Sequence, residues 1–129
     1  MTVGTASGFT NQDSYVPDRL FAGDYPRETT KATLLSGEAV VRGAVLGIVT
    51  ASDKLRLSAS GSADGSQTPD AIAAEDADAT GGDVDVLIYR TGEFNEAAVT
   101  LGAGHTVASI RQGLRERGIF LKPTQAAAS

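Results

Sequence analysis

"YRTGEFNEAAVTLG", residues 89–102, is the stretch on which the fold turns. Just before it, "DVDVLIYR" alternates, with Val84, Val86 and Ile88 on one side, and gives the strongest strand signal in the chain. "TGEFNE", residues 91–96, then surrounds a lone phenylalanine, Phe94, with Gly92, Glu93, Asn95 and Glu96. Glycine and asparagine adopt turn conformations at low steric cost. The stretch therefore predicts a hairpin: a strand to Arg90, a charged tip, and "EAAVTLG" at 96–102 as the returning strand. Glu93 and Glu96 also raise a catalytic carboxylate pair of the glycosidase type. Such pairs sit in aromatic-lined clefts, and this region offers Phe94 and little else. A turn with charged tips accounts for the residues more simply.

Working outward, the other segments before the last thirty residues are also mostly β. "ETTKATLLSG" alternates and stops at Gly37. "AVVRGAVLGIVT", residues 39–50, is a valine-rich run interrupted by Gly43 and Gly47, which predicts a bend, a bulge or a close backbone approach. After a turn at 52–54, "KLRLSAS" places Leu55, Leu57 and Ala59 on one face and Lys54, Arg56 and Ser58 on the other. Residues 61–69 carry Asp-Gly and Thr-Pro punctuation and predict a loop. "DAIAAEDADA" fits either a short strand or a helical turn. One helix is expected at about 106–117. Thr106 is its N-cap, Val107, Ile110 and Leu114 form one apolar stripe, and Arg111, Arg115 and Arg117 occupy the end that the macrodipole makes favourable to cations. Gly118 is the stop, followed by a closing strand "IFLK" ended by Pro123.

The termini differ from this body. Residues 1–24 show no sustained period, yet four of the seven aromatics, Phe9, Tyr15, Phe21 and Tyr25, fall in the first 25 residues. Disordered segments are usually poor in such anchors. These rings either fold back on the body or dock on a partner. The sequence divides as an arm at 1–24, a domain at 25–123 and a frayed tail at 124–129.

Composition narrows the function. The 129 residues make one domain, with 20 alanines and only 29 Leu, Ile, Val and Phe together. So thin a core predicts modest stability or extra burial between subunits. There is no cysteine, hence no disulfide, thiolate nucleophile or Cys-ligated zinc. No apolar run approaches the roughly 20 residues needed to span a bilayer, and the polar N-terminus lacks the basic region of a signal peptide. A net charge of −5 disfavours nucleic-acid binding.

Candidate chemistry is sparse. The single histidine, His105, cannot build a multi-histidine metal site, and its place before a helix predicts capping and turn duty. "GAGHTV" begins like a dinucleotide fingerprint, but the third glycine and the later acid are missing. The acidic stretch offers Asp76, Asp78, Asp83 and Asp85, and Asp76-x-Asp78-x-Thr80-Gly81 matches the first half of a calcium loop, but Leu87 stands where the bidentate glutamate belongs, so a solvated acidic turn is expected. No catalytic residue, metal ligand or cofactor site is assigned. The alternative is a small calcium- or carbohydrate-binding module using the acidic loop and Glu93/Glu96.

Taken in order, "RGAVLG", "DGSQTPDAIAAEDADATGGD", "YRTGEFNEAA" and "GIFLKP" resemble the head decoration proteins of tailed bacteriophages, the lambda-type protein D family, over about residues 34–123. The resemblance implies a mostly β (α+β) fold, a bent ribbon or small barrel of β-clip type with one helix near the C-terminus and a flexible N-terminal arm. It implies a homotrimer on the outer surface of the expanded head, at local three-fold axes. There it would hold the major capsid protein lattice against internal DNA pressure, without enzyme activity, cofactor, nucleic acid or membrane. The protein would be made in the host cytoplasm and reside in the virion. The implied capsid contacts lie in the arm, with Phe9, Tyr15, Phe21 and Tyr25 as candidates. The tip at 91–96 is then read as a trimer contact through Glu93, Phe94 and Asn95, with Phe94 tucked into the subunit or the interface.

Overall fold

The structure, a computed structural model, describes residues 20–123. Eight strands and one helix run in the order β1 (Glu28–Leu34), β2 (Ala39–Val40), β3 (Val45–Val49), β4 (Lys54–Leu57), β5 (Pro69–Ala73), β6 (Ala77–Asp78), β7 (Val84–Asn95), α1 (Val107–Arg115) and β8 (Ile119–Lys122). The fold is mostly β with one helix, as expected. The main sheet is ordered β1-β4-β3-β5-β7-β8, and β1 also pairs with β7, so five strands close on themselves. Closure is uneven. β1 and β7 are antiparallel along seven registered pairs, from Glu28↔Thr91 to Leu34↔Val84, whereas β1 meets β4 in parallel at a single pair, Leu34↔Leu55. β2 and β6 form a separate two-stranded ribbon.

Successive side chains of a strand point to opposite faces, and along β3 and β5 both faces are covered. Leu46, Ala71, Ala73, Val86 and Ile88 join Leu34, Ala44, Leu55 and Ala79 in one buried cluster. Their neighbours Val45 and Ile72 lie in a second cluster with Leu20, Phe94, Ile110, Leu114, Ile119 and Leu121. The first cluster holds four fully buried alanines, which accounts for part of the chain's alanine content: small side chains fill a narrow ring. The second is roofed by the helix.

The break expected at Gly43 separates β2 from β3, and the register shifts between Leu46 and Gly47, where a Cβ would run into the Ser66 backbone. Proline 69 opens a strand rather than closing a loop, and "DAIAA" is β5 with the turn that follows it. The helix starts where its sequence signals put it. The Thr106 hydroxyl accepts from the Ser109 N–H, and the Ser109 hydroxyl accepts from the Thr106 N–H, completing a capping box. Gly118 takes the left-handed conformation expected of the stop, with φ 87°.

The hairpin expected at 91–96 does not form. β7 continues unbroken through Thr91, Gly92, Glu93 and Phe94 to Asn95, and residues 96–102 are not its partner. The turn lies one step later, where the Asn95 side chain accepts from the Ala97 N–H at 3.0 Å and its carbonyl from the Ala98 N–H at 2.9 Å. The end of β7 is held by segments distant in sequence instead. Gly92 and Glu96 donate to the carbonyls of Gly118 and Lys122, along parallel β8. On the opposite edge, Ala22 donates to the Glu93 carbonyl at 3.0 Å and Asn95 to the Leu20 carbonyl at 2.6 Å, around an antiparallel Phe21↔Phe94 bridge.

Candidate functional site

The most organised non-core constellation lies where the chain enters the body. Residues 20–22 run beside the last turn-free residues of β7, and residues 23–25 cross toward β8. Leu20 is buried. The Phe21 ring packs edge-on against Tyr89 at 5.3 Å between centroids and tilted against Phe94 at 5.7 Å. The guanidinium of Arg27 covers the same ring at 3.9 Å. Tyr25 remains exposed and meets Phe120 of β8 edge-on at 4.8 Å.

Glu93 ties these pieces together. One carboxylate oxygen accepts from the Tyr25 N–H at 3.0 Å, and the other from the Lys122 ammonium at 2.8 Å. The Lys122 hydrogen bond first, then the Tyr25 N–H, holds the Glu93 carboxyl below the usual glutamate range. Glu96 points elsewhere and pairs with Arg111 at 2.7 Å. The two carboxylates thus serve separate cations and do not face a common substrate position.

The expected capsid and trimer contacts fall out unevenly. Phe9 and Tyr15 lie outside the described residues. Phe21 packs within the subunit, and Tyr25 presents part of its ring to solvent. Phe94 is fully buried and Asn95 nearly so. Of the three expected trimer contacts, Glu93 alone keeps notable side-chain exposure, at 18%.

The acidic stretch is a set of separate turn fasteners. Asp76 accepts from the Arg42 N–H at 2.8 Å. Asp78 accepts from the N–H and hydroxyl of Thr80, which hold its carboxyl below the ordinary aspartate range. Asp83 accepts from Lys54, which lowers its carboxyl most, and from the Ser36 N–H. Among the described residues, no three His, Asp or Glu side chains converge as metal ligands would.

His105 does not cap the helix, since Thr106 does. Its Nε2 lies 3.1 Å from the Ser58 hydroxyl and 3.1 Å from the Gln67 carbonyl. A carbonyl can only accept, so Nε2 carries the proton. It therefore cannot act as a base toward Ser58, which is fully buried. The pair fastens the 65–69 loop to β4. No local signal marks this contact, because Ser58, Gln67 and His105 are joined only through the fold. Among the described residues, no helix is long and apolar enough to cross a membrane.

The body is thus a closed, uneven β ring with one helix, carrying the chain's entry segment on its longest strand. The comparison with protein families bears on the whole body. The family model "Bacteriophage lambda head decoration protein D" matches residues 10–119, and the chain belongs to that family. It is a bacteriophage head decoration protein. No curated protein matches the chain.

Proposed function

We propose that this protein assembles as a homotrimer on the outer surface of the phage head, at local three-fold axes, and stabilises the major capsid protein lattice against the pressure of packaged DNA. It acts by binding and turns over no substrate. The observation that carries the reading is the family match, which extends from the arm across the helix to β8. The entry segment supports it. Because residues 20–22 are bonded to β7, an arm N-terminal to them starts from a fixed point on the body. Phe9, Tyr15 and the exposed ring of Tyr25 are the proposed capsid contacts, with Phe21 as the anchor of the arm. Glu93 is the proposed trimer contact, since Phe94 and Asn95 are already enclosed. Three arms on one trimer bind as a unit, so individually weak contacts multiply through effective concentration.

The test pairs assembly with attachment. Light scattering of the purified protein is expected to give a trimer, and co-sedimentation with expanded heads is expected to show saturable uptake. Deleting residues 2–18 is expected to leave the trimer intact and abolish uptake. A stable monomer, or equal uptake of the truncated form, would refute the reading.

A further inference from the structure

We propose that Glu93 is a positioning residue for the N-terminal arm: its carboxylate clips the arm's root, residues 23–25, to β8 and thereby fixes where the arm leaves the body. The proposal rests on the reading that the arm contacts the head.

Three observations converge on Glu93. Its carboxylate accepts the Tyr25 N–H and the Lys122 ammonium, one on each oxygen, so it bridges the entry segment to the last strand. Gly23 leaves it room: a Cβ there would overlap the Glu93 Oε1. Gly23 is not in the left-handed region, so its backbone suits alanine and the obstacle is the carboxylate itself. Finally, Glu93 contributes its backbone to the same task, since its carbonyl accepts from Ala22 at 3.0 Å. The residue thus holds the root at two points, by main chain on one edge of β7 and by side chain beside the other.

A surface ion pair of this exposure contributes little to folding by itself, with Lys122 about half exposed. Its geometric effect is larger. Without the clip, residues 23–25 have a slack connection, and the short pairing at 20–22 can open as a unit. An arm on a lengthened, reoriented tether meets its site at lower effective concentration, and a trimer compounds that loss over three arms.

The test uses the full chain and two variants that break the clip from opposite sides. Glu93→Ala removes the acceptor, and Gly23→Ala displaces it without touching the core. Hydrogen exchange of the Ala22 amide is the informative probe, because its acceptor is a backbone carbonyl that both variants leave in place. Each variant is expected to speed Ala22 exchange about tenfold or more; Gly23→Ala, which keeps the Glu93 side chain available to a neighbouring subunit, is expected to leave the trimer intact by light scattering. Each is expected to raise the protein concentration for half-saturation of expanded heads about threefold or more. The double variant is expected to match the worse single variant, because both act through one carboxylate. Unchanged Ala22 exchange would show that the clip does not hold the root. Faster exchange with unaltered head binding would reduce Glu93 to a structural role. Equal head binding by the wild type and the form lacking residues 2–18 would instead overturn the capsid reading on which the proposal rests.

Discussion

Replacing Phe94 with alanine separates the hairpin reading of residues 91–96 from the continuous strand that forms. At an exposed loop tip, truncation would cost within about 0.5 kcal/mol. In the structure the side chain is fully buried, and its ring lies 5.7 Å from Phe21 and 5.5 Å from Tyr89, among Val45, Ile72, Ile119 and Leu121. Truncating a buried phenylalanine costs about 3–5 kcal/mol. The two ring contacts keep this site off the bottom of that range, at about 4 kcal/mol, because aromatic pairs add to area burial. That is a large share of the roughly 5–15 kcal/mol that holds a domain together. Urea denaturation followed by far-ultraviolet circular dichroism reads it out, at one fixed protein concentration because oligomers link stability to mass action. With a slope of about 2 kcal/mol per molar urea, the midpoint falls by about 2 M. Leu87→Ala, on the exposed side of the same strand, is the control and is expected to shift little. A loss below about 1 kcal/mol for Phe94→Ala would refute both its burial and the extension of β7 through Asn95.

Two further predictions concern the helix and the acid limb. Thr106→Ala removes the acceptor of the Ser109 N–H and breaks the capping box, so it is expected to lower stability by about 1 kcal/mol, with Thr106→Gly costing less; equal losses would point to packing rather than capping. Asp64 is held at about 2, first by the Ser66 hydroxyl and then by the Ser66 N–H, against an ordinary value of 3.8. A carboxylate depressed in the fold contributes stability that is present above its unfolded value and lost as pH falls through its folded value. Stability is therefore expected to decline between about pH 4 and pH 2, and Asp64→Asn to flatten that decline; an unchanged acid slope in the variant would refute the assignment.

What the sequence disclosed follows the range of the interactions involved. The start of the helix was legible to the residue, because Thr106 and the stripe of Val107, Ile110 and Leu114 are within a few positions of one another, while its end falls at Arg115, two residues short of the expected 117. The strands flanking tight turns were legible for the same reason, as with β3 and β4 around residues 50–53. The end of β7 was not. "GEFN" reads as a turn because its local composition is that of a turn, but its backbone is satisfied by residues 20–22 on one edge and by β8 on the other. Both partners are far away in sequence, and tertiary pairing overrides local propensity at such places. Leu20 and Phe21, in the polar segment before residue 25, likewise pack on residues that only the fold brings near. The acidic stretch was legible as turns, whereas the partner of each carboxylate was not.

The same long-range pairing gives the body its mechanical layout. β7 is paired with β1, β5 and β8, and the entry segment bridges to its far end. Force applied to a bound arm would therefore reach the body through its longest strand. From there β1 and β5 carry it around the ring, while β8 and the helix back it on the other face. A thin, alanine-rich core can serve in this arrangement because the closed sheet, rather than bulk hydrophobic mass, distributes the load, and closing a sheet leaves few unpaired edges to slip. The residues that join the entry segment to β7, Leu20, Phe21 and Phe94, are themselves part of the second core cluster or packed against it.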